Sequence, residues 1–115
     1  MKIIACDYHP SFQQIAMLDL DTGEYVELRL LHAGGEAQRF YESLRGPVRV
    51  GVESSGNMLW FERLLQKLGH ELWLGDAGVI RAKAPRKQKT DVRDARHLLQ
   101  LLRENTQTRA FWVEW

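Results

Sequence analysis

A chain of 115 residues is enough for one domain with a real core but not comfortably for two. Hydrophobic residues make up 44% and charged residues 27%, which excludes a disordered tail and a collagen-like repeat, and the single cysteine, Cys6, excludes a disulfide scaffold. The net charge of +1 points by itself to no polyanionic partner; no apolar stretch approaches the ~20 residues of a membrane span and no signal-peptide core follows Met1, so a soluble, cytoplasmic chain with no membrane partner is expected.

Lys2 to Asp7 is a continuous apolar run ending in an acid, which suits a central strand buried on both faces, with Cys6 a buried thiol. Phe12 to Asp19 and Glu24 to Leu30 read as two more strands; in the second, Val26, Leu28 and Leu30 alternate with Tyr25, Glu27 and Arg29. Asp19-Leu20-Asp21-Thr22-Gly23 between them is turn chemistry, so an antiparallel meander is expected. After Gly34-Gly35, the spacing of Ala37, Phe40, Tyr41 and Leu44 predicts a helix over Glu36 to Leu44, stopped by Gly46-Pro47. Val48, Val50 and Val52 form a fourth strand ending at Glu53. Ser54 or Ser55 offers a cap for a helix from about Asn57 to Leu68, with Met58, Phe61, Leu65 and Leu68 on one face and Gly69 as its stop. Glu71 to Leu74 reads as a fifth strand, and Asp76 as the start of a short helix reaching about Lys83. Pro85 to Lys89 is a basic loop, and Thr90 caps a helix from Asp91 to about Arg103. The order β-β-β-α-β-α-β-α predicts an α/β fold, a mixed sheet of about five strands with helices on both faces, as in the RNase H-like fold.

Asp7 and Glu53 each end an apolar strand. If those strands are adjacent and parallel, the two carboxylates meet at the sheet edge where α/β folds hold ligands; taken singly, each is an ordinary strand-end acid. Asp91 and Asp94 lie in the first turn of a helix, where acids are common because they offset the dipole. Val92, Ala95, Leu98, Leu99 and Leu102 form the apolar stripe of that helix, with Arg93, Arg96, Gln100 and Arg103 opposite. Asp91 falls at the edge of the stripe and Asp94 roughly 60° from it, which aims both acids across the sheet toward Asp7 and Glu53. Four converging carboxylates need a cation; their oxygens fit Mg²⁺ or Mn²⁺, and no Cys/His cluster has zinc-ligand spacing. Such a site suits phosphodiester chemistry. Arg81, Lys83, Arg86, Lys87, Lys89, Arg93 and Arg96 form a basic stripe interrupted by Asp91 and Asp94, read either as a nucleic-acid contact or as a solvated surface. His9, His32, His70 and His97 are scattered. Ser54-Ser55-Gly56-Asn57 is a capping loop or a phosphate contact. Phe111 to Trp115 is apolar for a terminus, which points to a docking surface or to a chain that continues.

Ala5-Cys6-Asp7-Tyr8-His9, Gly51-Val52-Glu53-Ser54-Ser55-Gly56-Asn57, Leu68-Gly69-His70 and Lys89-Thr90-Asp91-Val92-Arg93-Asp94-Ala95-Arg96 follow one another along the chain. In this order they resemble the N-terminal catalytic domain of the DEDD transposases, insertion-sequence recombinases guided by a bridge RNA. The resemblance spans nearly the whole chain. It implies a RuvC-like version of the RNase H fold over residues 1–104, with 105–115 opening a connection onward. It implies that Asp7, Glu53, Asp91 and Asp94 are a D-E-D-D tetrad holding Mg²⁺ (or Mn²⁺), and that the protein acts on DNA as an insertion sequence is excised and inserted. Members of that family carry a second, C-terminal domain with a catalytic serine, a segment this sequence lacks. The resemblance therefore implies an enzyme domain inactive by itself, and a guide RNA and homo-oligomer belonging to a full-length protein. A Holliday-junction resolvase or other RNase H-like nuclease, a non-catalytic nucleic-acid-binding module, and an actin-like nucleotide phosphotransferase are the alternative readings.

Overall fold

The computed structural model describes residues 1–53, 56–75, 91–104 and 112–114. Strand β1 (Lys2–Tyr8) sends apolar side chains to both sides, Ile4 and Cys6 to one and Ile3 and Ala5 to the other, so it lies at the middle of a sheet covered on two faces. Strand β2 (Phe12–Asp19) returns antiparallel to it through a tight turn at Pro10-Ser11, closed by the His9 N–H to Phe12 C=O bond of 2.9 Å. The second turn leads into β3 (Tyr25–Leu31), antiparallel to β2. There the Asp19 carboxylate accepts the Asp21 N–H at 2.9 Å, a bond that lowers its pKa, and Gly23 takes φ 79°, which a side chain would resist.

Helix α1 (Glu36–Ser43) follows a short 3₁₀ turn at Ala33–Gly35. Strand β4 (Val48–Glu53) then runs parallel to β1, helix α2 (Leu59–Leu68) crosses over, and β5 (Glu71–Gly75) runs parallel to β4. Helix α3 (Asp91–Glu104) and a short strand β6 (Trp112–Glu114), antiparallel to β5, complete the described elements. The protein is therefore α/β, with a mixed sheet in the order β3-β2-β1-β4-β5-β6. The first sheet face packs Ile4, Cys6, Val50 and Val52 against Ala37 and Tyr41 of α1 and Phe61 and Leu65 of α2. The second packs Ile3, Ala5, Ala16 and Trp73 against Ala95, Leu98, Leu99 and Leu102 of α3.

Several boundaries differ from the sequence reading. Strand β3 starts at Tyr25 and reaches Leu31. Helix α2 starts at Leu59, after Asn57 at φ 61°, and its N-cap position is Met58, which offers no side-chain bond. Leu101 is buried although it lies outside the expected apolar stripe of α3, because the second core wraps further round the helix. Strand β6 falls in the segment expected only as a connection. The short helix from Asp76, the Pro85 to Lys89 loop and the Thr90 cap lie outside the described residues. No helix among the described residues is long and apolar enough to cross a membrane.

The first core holds a polar network. The Gln13 side-chain carbonyl accepts the Tyr41 O–H at 2.5 Å and the Cys6 S–H at 3.3 Å. Its amide N–H therefore faces His32 Nε2 at 3.2 Å, which makes His32 the Nδ1–H tautomer, donating to the Pro10 carbonyl at 3.1 Å. Burial pushes the Cys6 thiol well above its ordinary range, and the neighbouring Asp7 charge adds to the effect. Cys6 is thus expected to resist thiol-directed reagents at mildly alkaline pH and to react once urea unfolds the chain. Modification of native protein at a free-thiol rate would contradict this packing.

Candidate functional site

Asp7 and Glu53 come together because of strand register. Strands β1 and β4 are parallel neighbours with Cys6 opposite Val52, so the next residue on each, Asp7 and Glu53, occupies a matching position at the carboxyl ends. Side chains alternate along a strand. Ile3 and Ala5 face α3, so Asp7 does as well; Val48, Val50 and Val52 face α1 and α2, so Glu53 faces α3. The two carboxylates therefore share one sheet face at one edge.

Helix α3 runs antiparallel to β1. Arg96 forms a two-pronged ion pair with Glu27 at 2.7 and 2.8 Å, which holds the Glu27 carboxyl below the usual glutamate range. Glu27 is level with Ala16 and so with Ala5. Leu99, Gln100 and Arg103 line a groove with Tyr25, which is level with Leu18 and so with Ile3. Going down the helix from Arg96 thus goes toward the start of β1. The first turn, 91–94, goes the other way, and its roughly 7 Å of rise from Arg96 back to Asp91 matches the two-residue step from Ala5 to Asp7. The backbone of Asp91 and Asp94 therefore lies at the Asp7 edge. The side chains of Asp91, Arg93 and Asp94, and all of Arg81, Lys83, Arg86, Lys87 and Lys89, lie outside what is described.

Three neighbours of Asp7 were not singled out as site residues from the sequence. His9 donates from Nε2 to Asp7 Oδ2 at 3.0 Å and stacks on Phe12 at 4.3 Å between ring centroids. Arg29 lies over the other part of that stack, 3.9 Å from the Phe12 centroid. Gln14 is the register partner of Asp7 across the β1–β2 pair, on the same face, and is buried. The Asp7-x-His9 spacing was the available signal for His9, which lies one residue past the end of β1 and two from Asp7.

The Asp7 side chain is only 16% exposed. Asp7 and Glu53 supply hard oxygen donors on adjacent strands, a chemistry that fits Mg²⁺ or Mn²⁺ and not a softer ion. Among the described residues no three His, Cys, Asp or Glu side chains gather into one cluster. A fuller oxygen set would draw on the first turn of α3, the element whose backbone reaches this edge.

The carboxyl edge has a second side. Tyr8, one residue beyond Asp7, points to the α1/α2 face, donates from its hydroxyl to the Asn57 carbonyl at 3.0 Å and accepts the Trp60 indole N–H at 2.7 Å. The His32 ring packs against both, 5.0 Å from Tyr8 and 4.9 Å edge-on to Trp60. No protein-family model matches this sequence, and a search of curated proteins finds no match.

Proposed function

We propose that this chain is the metal-dependent catalytic domain of a DEDD transposase, with a RuvC-like version of the RNase H-like fold. It acts on DNA phosphodiester bonds during excision and integration of an insertion sequence. The observation that carries this reading is the pairing of Asp7 and Glu53 at matched carboxyl ends of the parallel β1–β4 pair, under the first turn of α3. The mixed α/β sheet with three antiparallel strands followed by parallel ones is compatible with that fold.

In this reading Asp7, Glu53, Asp91 and Asp94 hold Mg²⁺ or Mn²⁺. The bound ion would supply charge for a phosphate oxygen and for the leaving oxygen. His9 orients the Asp7 carboxylate by its N–H bond and is itself fixed by stacking on Phe12. The Arg81, Lys83, Arg86, Lys87, Lys89 and Arg93 cations hold the DNA backbone. A guide RNA and a homo-oligomeric assembly belong to the full-length protein in the same reading.

The test has two arms. Mn²⁺ titration followed by electron paramagnetic resonance is expected to show bound ion on the intact chain. Replacing Arg86, Lys87 and Lys89 together by Gln is expected to weaken duplex DNA binding and reduce the log–log salt slope by roughly 2.7, about 0.9 per lost phosphate contact. No Mn²⁺ binding removes the metal site; unchanged affinity and slope in the triple variant make the stripe a solvated surface.

A further inference from the structure

The exposed side of α2 carries Trp60, next to Leu59, which is exposed as well. Trp60 is 40% exposed, yet it is not loose: the indole N–H donates to the Tyr8 hydroxyl, and the His32 and Phe61 rings pack against it at 4.9 and 5.6 Å between centroids. Trp60 is thus a large aromatic side chain fixed by a hydrogen bond and still partly open to solvent, on a helix whose Phe61 and Leu65 fill the core. Arg63 and Lys67 follow on the same line at i+3 and i+7, both exposed. Neither forms an ion pair with another described residue. The platform stands at the carboxyl edge of the sheet, one residue along β1 from Asp7 and on the opposite face.

We infer that this face of α2 binds single-stranded DNA, an unpaired base stacking on Trp60 while Arg63 and Lys67 take successive phosphates. The argument is one of complementarity. A base offers a flat π-face that needs a rigid ring, and the strand offers negative charges at intervals that a line of cations can meet. Duplex DNA does not suit it, because its bases are stacked on one another and unavailable to Trp60. The inference rests on the reading that the Asp7 edge acts on DNA. It adds that the strand leaving that edge is unpaired and crosses to α2.

Binding of a fluorescein-labelled oligo-dT to the intact chain, read by anisotropy in EDTA, tests this. Trp60→Ala is expected to weaken binding about tenfold, and Trp60→Phe to recover most of the loss. Arg63→Gln with Lys67→Gln, both at exposed positions that leave the core untouched, is expected to lower the log–log salt slope by roughly 1.4, about 0.7 per phosphate. The same oligonucleotide annealed to its complement is expected to bind less tightly than the single strand. Circular dichroism checks that each variant is folded. Wild-type affinity in the Trp60→Ala chain together with an unchanged slope in the double variant overturns the inference. So does tighter binding of the duplex, or binding of oligo-U but not oligo-dT. Mn²⁺ binding, measured separately on the same protein, judges the metal site, so the two readings fail independently.

Discussion

Asp7→Asn is expected to abolish Mn²⁺ binding while leaving the fold intact. Asparagine keeps the shape of the side chain and a hydrogen-bonding partner for the His9 ring, now 3.0 Å from the carboxylate. What it removes is the negative charge and one hard anionic oxygen, which are what a divalent ion requires. Affinity is expected to fall by more than about a hundredfold, because even the partners of metal ligands cost about 10–100-fold when lost. Stability should hold within about 1 kcal/mol, because the substitution weakens the Asp7–His9 pair while lowering the negative charge at the edge that Asp7 shares with Glu53. Glu53→Gln should behave alike. Glu42→Gln, on the exposed side of α1, is the control and should bind metal like the parent chain. Calorimetric titration with Mn²⁺, paired with thermal unfolding in its absence, separates the two effects. An Asn variant that binds Mn²⁺ with parental affinity would exclude Asp7 as a ligand.

The strand-end acids were legible because two apolar runs stop at a carboxylate, although each alone reads as an ordinary strand-end acid. That Asp7 and Glu53 meet was legible only as a condition, that their strands be adjacent and parallel. It depends on β1 and β4 being parallel neighbours in a register that puts Cys6 beside Val52, a pairing between segments far apart in sequence. Gln14 was missed for a related reason. Gln13-Gln14 reads as a polar step in a strand, whereas β2 lies inside the sheet and buries both, one on each face. Strand β6 was missed because three residues carry no pattern; its pairing with β5 comes from tertiary contact. The start of α2 was placed early because serines are good caps, yet Asn57 at positive φ turns the chain and the helix begins without a side-chain cap.

Gln13→Leu is expected to destabilise the protein by about 2–3 kcal/mol, the cost of stranding a buried hydroxyl with no acceptor plus the loss of a weaker thiol bond. Gln13 and Tyr41 are both fully buried, so water cannot replace the lost partner. For a domain of this size that corresponds to roughly 8–12 °C in Tm. The sign of a second change separates hydrogen bonding from packing. Tyr41→Phe removes the stranded hydroxyl itself, so the double variant Gln13→Leu, Tyr41→Phe should be more stable than Gln13→Leu alone, although two native groups are gone. Gln13 also faces His32, which packs on Tyr8 and Trp60. Its loss should therefore loosen the aromatic platform at the carboxyl edge as well as the core, and Trp60 in the variant should become more accessible to a neutral quencher such as acrylamide. Urea unfolding gives the energies. A Gln13→Leu chain within about 0.5 kcal/mol of the parent would show that the network contributes little. A double variant no better than the single would show that the cost comes from the shape of leucine in this strand and not from the orphaned hydroxyl.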